Sequence, residues 1–198
     1  FIPMVLFPLV YGTLSDRFGR RLPLLFGLAI IALGGLLGAL SESFEILVLA
    51  RVLQGLGNAS IILIVVTIIN DSYERSDAVR VLATISGIMM IVPALSFAFG
   101  GLITDLISWK GIMIVIFLTG IISLVLSLIY LPETNLRPRQ KFNLTSLTRD
   151  YQSLLTNRVY LAYMFVSTFI VGGWLTMLGF VPFEYQRRGV DSTEAVSY

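Results

Sequence analysis

Five apolar stretches, each about 20 residues or longer, constrain this chain more than any other feature. They run over Leu22–Leu40, Ile46–Ile69, Val79–Ile103, Gly111–Leu131 and Tyr160–Phe183. A sixth, Phe1–Tyr11, reads as the tail of a helix that begins before Phe1. A helix of about 20 mostly apolar residues is what a bilayer demands, since hydrocarbon offers no hydrogen bonds and the backbone must satisfy its own. Apolarity alone does not separate helix from buried strand, but these lengths favour helix. The hydrophobic fraction is 56% and the charged fraction 13%. Soluble domains carry about 25% charge, and a soluble chain of this size could not hide so much apolar surface. The expected fold class is an all-α polytopic membrane protein.

The charges fall between the apolar stretches. Arg17, Arg20 and Arg21 lie in the first connection, within Gly12-Thr13-Leu14-Ser15-Asp16-Arg17-Phe18-Gly19-Arg20-Arg21. One acid, three arginines and two glycines in so short a run suit a tight turn at a membrane surface. Arg75 and Arg80 mark the third connection, with Asp71, Glu74 and Asp77. Arg137, Arg139, Lys141, Arg149 and Arg158 mark the fifth. Glu42 and Glu45 flank the second, and Asp105 and Lys110 the fourth. Most of the 14 basic residues thus sit in alternate connections. The positive-inside rule puts residues 12–21, 70–80 and 132–159 in the cytoplasm, so the inner cell membrane is the expected location. Residues 1–131 are expected to form one bundle. Residues 132–159 form a polar linker with a surface helix near Leu147–Leu155, and 160–198 begin a second bundle.

The chain has no cysteine and no histidine. That removes thiolate and imidazole metal sites and the nucleophile–histidine pairs of hydrolases. Neither a catalytic residue nor a cofactor is expected. The net charge of +2 argues for no nucleic-acid partner.

The Gly12–Arg21 run resembles the signature loop of the major facilitator superfamily of transporters, G-x-L-[SA]-D-R-x-G-R-[RK], which joins their second and third helices. Arg51-Val52-Leu53-Gln54-Gly55-Leu56-Gly57 resembles the fourth-helix pattern R-x-x-Q-G-x-G. Trp109-Lys110 is similar to the pair that opens the sixth helix, and Leu131-Pro132-Glu133-Thr134 to the element that closes it. Asn70-Asp71-Ser72-Tyr73 with Ala78-Val79-Arg80-Val81-Leu82 resembles the bicyclomycin-resistance branch of drug-efflux proteins. The resemblance implies helices two to seven of twelve. It further implies a monomeric carrier in the lipid bilayer that exports amphipathic or cationic small molecules, driven by the proton gradient. Ser96-Phe97-Ala98-Phe99-Gly100-Gly101 keeps only the paired glycines of the antiporter pattern G-P-x-x-G-G, which leaves import of sugars or other metabolites open. A membrane scaffold without transport is the remaining alternative.

The same resemblance implies a conformational switch built from Gly12, Asp16, Arg17, Gly19, Arg20, Arg21 and Asp71. Asp16 would face the positive end of a helix from the second bundle, with Gly12 letting the helices touch. Arg20 is a candidate partner for Asp71. From the residues alone, Asp16 could be a helix cap or a surface acid, and Arg20 and Asp71 two independent headgroup-facing charges. Arg51 is the one charge well inside an apolar stretch, and two readings fit it. It either snorkels to the outer interface or faces a cavity as part of a substrate or proton pathway. Gln54 and Asn58 follow at helical offsets on its face, as pathway lining or as interhelical hydrogen-bonding groups.

Gly87, Pro93, Gly100 and Gly101 suggest a kinked helix, its small residues serving either plain close packing or a bend about which the bundle rocks. Gly34 and Gly38 form a small-xxx-small pair read as packing. Met89, Met90, Phe97, Phe99, Tyr163, Phe169, Trp174 and Met177 either line an adaptable pocket or face lipid. No acid lies in the interior of any stretch. For a proton-coupled carrier, the resemblance to the bicyclomycin-resistance branch implies a proton-carrying carboxylate in a first helix preceding Phe1.

Overall fold

The computed structural model describes residues 2–135, 152 and 155–187. Among them every regular element is an α-helix: α1 Ile2–Phe18, α2 Arg21–Ala39, α3 Phe44–Ser72, α4 Arg75–Leu106, α5 Trp109–Tyr130 and α6 Arg158–Arg187. Four are long and apolar enough to cross a membrane, over Arg21–Ala39, Phe44–Ser72, Arg75–Pro93 and Trp109–Tyr130. The 29 residues of α3 extend about 44 Å, well beyond the roughly 30 Å of hydrocarbon.

The charged turns are shorter than the sequence suggests. Helix α1 continues through Asp16 and Arg17 to Phe18, leaving Gly19 and Arg20 as the turn. Asn70 and Asp71 belong to the last turns of α3, and only Tyr73 and Glu74 precede α4. Hydropathy marks the edge of the hydrocarbon, whereas backbone hydrogen bonding carries a helix on into the polar interface. The expected surface helix near Leu147–Leu155 falls mostly outside the described residues.

Each turn has its own local chemistry. Gly19 sits at φ 91°, the left-handed conformation that ends many helices and that glycine adopts without Cβ strain. At the start of α3, Ser43 Oγ accepts from the Ile46 N–H at 3.4 Å as an N-cap. At the start of α5, Ser108 Oγ accepts from the Lys110 N–H at 3.3 Å, with Ser108 itself at φ 116°.

The chain divides into two compact units, Phe1–Lys141 and Phe142–Tyr198. In the first, α2 is central and packs broadly on α3 and on α5, while α1 lies against α3. Tyr11, Leu24, Leu28, Ala59 and Ile64 form the buried core where α1, α2 and α3 meet. Helix α4 touches α3 and α5 only lightly and lies at the edge. Large apolar side chains such as Leu33, Phe44, Met90 and Leu106 are exposed around the unit, as a lipid-facing exterior requires. In the second unit, α6 carries an apolar stretch over Arg158–Gly173.

Candidate functional site

The ends of two helices and the segment after α5 converge on one residue, Arg20, at the start of α2. The last turn of α1 presents Ser15 and Asp16, the last turn of α3 presents Asp71, and Glu133 follows α5. Arg20 Nη1 donates to Ser15 Oγ at 2.8 Å and to Asp16 Oδ1 at 2.6 Å. Its Nε donates to Asp71 Oδ2 at 3.0 Å. Its backbone N–H donates to Glu133 Oε1 at 2.8 Å, and the Arg21 N–H donates to Glu133 Oε2 at 3.3 Å. Glu133 thus straddles the first turn of α2, where free backbone N–H groups and the helix dipole favour an anion.

The surroundings tighten this cluster. Arg21 Nη2 donates to the Leu128 carbonyl of α5 at 2.7 Å. Asn135 donates from its backbone to Glu133 Oε1 at 2.9 Å and from Nδ2 to the Ser15 carbonyl at 3.5 Å. Gly19 is required twice over. Besides its φ, a Cβ there would run into the Glu133 carboxyl group, 2.6 Å from its Cδ.

The electrostatics follow from this packing. The Arg20 side chain is 8% exposed, that of Asp71 21% and that of Asp16 59%. Burial works against the Arg20 charge, but hydrogen bonds to Asp16 and Asp71 and their negative charges outweigh it and raise its pKa. Arg20 is therefore a fixed cation. Burial pushes the Glu133 carboxyl up, but the backbone N–H groups of Asn135, Arg20, Arg21 and Thr134 together hold it below the usual carboxylate range. The arrangement can do one thing well. It ties the ends of α1, α2, α3 and α5 at a single face, through charges that come apart if the helices shift.

Arg20 and Asp71 are thus brought together, with Asp16 on the same guanidinium. Asp16 is no cap, since it lies inside the last turn of α1. Arg17 stands apart, exposed, with its guanidinium 5.2 Å above the Phe18 ring. Gly12 faces Leu63 of α3, where a Cβ would meet Cδ2 at an ordinary 3.6 Å. Glu133 is the member of this cluster to which the sequence alone assigns no role. An acid just beyond a helix end, on the same face as the arginine turn, was the available signal.

Arg51, Gln54 and Asn58 lie on α3, away from this cluster in sequence. Arg51 and Asn58 are exposed, while Gln54 is buried. Arg51 Nη1 donates to Gln54 Oε1 at 3.1 Å, and Gln54 Nε2 reaches Met113 Sδ of α5 at 3.7 Å. The close packing expected at Gly87, Gly100 and Gly101 is absent within the first unit. A Cβ at any of them would meet nothing within 4 Å, because α4 lies at the edge. Helix α4 runs on through Pro93. Met89, Met90 and Phe99 are exposed on α4, as are Tyr163, Phe169 and Met177 on α6. The side chains of Phe97 and Trp174 lie outside the described residues. Among the described residues, no group of three or more acids is placed to hold a metal ion.

The whole chain, residues 1–198, matches the family model of the Major Facilitator Superfamily. It is 36% identical over 138 residues to an uncharacterized transporter of Rickettsia bellii, covering 70% of this chain and 34% of that protein. It is 32% identical over 150 residues to the multidrug transporter MdfA of Edwardsiella ictaluri, covering 76% and 37%. It is 28% identical over 166 residues to a bicyclomycin resistance protein homolog of Haemophilus influenzae, covering 83% and 42%. The chain therefore spans about a third to two-fifths of the length of these relatives.

Proposed function

The chain belongs to the Major Facilitator Superfamily, and we propose that its protein is a secondary transporter that exports amphipathic or cationic drugs against inward proton flow. Two bundles rock around a site near the bilayer midplane, and the protein sits as a monomer in the inner cell membrane. The α1–α2 turn, the α3–α4 turn and the segment after α5 face the cytoplasm.

The observation that carries this reading is the Arg20 cluster. It gathers the cytoplasmic ends of four helices into one unit, as bundle rocking requires. It also leaves Asp16 more than half exposed, free to meet a second partner. On the family resemblance, that partner is the positive end of a helix in the other half of the complete carrier. The contact closes the cytoplasmic side, and its loss lets the carrier open inward. Drug export draws on two relatives, one a multidrug transporter and one a bicyclomycin resistance protein homolog.

The test is ethidium transport by the complete protein in inside-out vesicles. Uptake should require an imposed proton gradient and collapse with a protonophore. Uptake indifferent to the gradient would end the proton-coupled reading. The second reading is import of sugars or other metabolites, favoured by Phe97 in the place where the antiporter pattern has proline. It expects no ethidium transport and a gradient-driven uptake of a polar metabolite.

A further inference from the structure

We propose that Gly34, Gly38 and Met113 form a socket that holds Gln54 in one orientation and thereby positions the guanidinium of Arg51. The inference rests on the reading of Arg51 as a residue of the transport pathway.

The socket is built from two gaps on one face of α2. At Gly34, a Cβ would lie 2.9 Å from Gln54 Cγ and 2.9 Å from the Ala50 carbonyl oxygen. At Gly38, one turn on, a Cβ would lie 2.8 Å from Met113 Sδ. The first gap takes a side chain from α3 and the second a side chain from α5. There the two meet, with Gln54 Nε2 3.7 Å from Met113 Sδ. Gln54 is 6% exposed and Met113 2%. The glycine pair is therefore more than a surface for helix packing, because its two gaps bring a polar group and a sulfur together.

The chemistry admits one arrangement. A guanidinium only donates hydrogen bonds, and a thioether sulfur only accepts them. The Gln54 amide must then point its oxygen at Arg51 and its NH2 at Met113. Arg51 Nη1 accordingly donates to Gln54 Oε1 at 3.1 Å. A leucine at position 113 would fill similar volume without accepting a bond. The amide would then be free to turn its NH2 toward the guanidinium, where donor meets donor. Held as it is, Arg51 keeps its other N–H groups for an oxygen acceptor on the substrate. Met113 touches no substrate in this scheme and is a positioning residue.

The experiment measures initial rates of transport of chloramphenicol, a neutral amphipathic drug whose nitro, amide and hydroxyl oxygens can accept hydrogen bonds, by the complete protein in inside-out vesicles, for Met113→Leu, Arg51→Ala and the double variant. Met113→Leu should raise KM about fivefold, the worth of roughly one hydrogen bond, with kcat and thermal stability near those of the parent. In the Arg51→Ala background it should change KM no further, since residues acting through one another are not additive. Gly38→Ala, which displaces the Met113 sulfur, should raise KM in the same way. An unchanged KM in Met113→Leu, or the same increment with and without Arg51, overturns the socket and leaves the pathway reading standing. Normal transport by Arg51→Ala overturns both.

Discussion

The backbone N–H of Arg20 and the carboxylate of Glu133 meet at 2.8 Å across 113 residues of chain. This bond joins the turn that begins α2 to the segment that leaves α5. The same arginine reaches Asp71 with its side chain, so one residue bonds two distant parts of the bundle through separate groups. The backbone contact survives any substitution at position 20 that keeps the turn. The side-chain contacts do not.

Glu133→Gln should therefore weaken the bundle without unfolding it. The amide keeps one acceptor oxygen but loses the charge that the backbone N–H groups of Arg20, Arg21 and Asn135 bind. Hydrogen bonds to charged groups contribute about 1.5–3 kcal/mol each, and this carboxylate is partly open to solvent, so a loss of about 1–2 kcal/mol is expected. Thermal unfolding of the detergent-purified protein measures it. An unaltered midpoint would show that Glu133 bears no load.

The same carboxylate should leave a mark in acid. Its folded pKa lies below the ordinary value of about 4.3, so the folded state binds that proton less readily than the unfolded chain does. The stabilisation is fully present above about pH 4.3, fades as pH falls toward the lower folded value and is gone beneath it. The parent protein should lose unfolding temperature over that window more steeply than Glu133→Gln. Parallel curves for the two would contradict the assignment.

Asp16 and Asp71 share one guanidinium and should differ in what their loss does. The side chain of Asp16 is 59% exposed and that of Asp71 is 21%. An exposed ion pair contributes about 0–1 kcal/mol, so Asp16→Asn should scarcely change stability. Asp71→Asn removes the better buried partner and should cost about 2 kcal/mol, short of the 3–5 kcal/mol of a fully buried pair. Transport should show the reverse order if Asp16 also contacts the second bundle, with Asp16→Asn the slower carrier. Unfolding temperatures and ethidium transport rates, measured side by side, separate the two roles.

Much of this was legible in the chain itself, and the exceptions have physical reasons. The apolar runs mark α2, α3, α4 and α5 because hydrocarbon thickness sets helix length. They do not mark where those helices end. Asp16, Arg17 and Asp71 are polar yet helical, since the backbone ladder continues past the hydrocarbon edge. The arginine turn pointed to a site and to the Arg20–Asp71 pair, both visible as charges expected at one face. Glu133 is not legible in the sequence because its partners are backbone N–H groups, which leave no trace in a pattern of side chains. The edge position of α4 is not legible either, because glycine reads alike whether or not a helix packs against it.

Gly19 and Gly100 make that last ambiguity testable. At Gly19 alanine meets two obstacles, a φ of 91° and the Glu133 carboxyl group in the space its methyl would take. Residues held in such sparsely populated conformations cost about 1–3 kcal/mol, and displacing the carboxylate adds the loss of its bonds to Arg20 and Arg21. Gly19→Ala should therefore lower the unfolding temperature at least as much as Glu133→Gln, and combining the two should cost less than their sum, because both remove the same contact. Gly100 lies in α4 with nothing within 4 Å of a Cβ. There alanine relieves backbone entropy and should be neutral or stabilise by up to about 1 kcal/mol. A destabilised Gly100→Ala protein would mean that another helix lies against this face of α4, and a harmless Gly19→Ala would mean that the turn does not depend on Glu133.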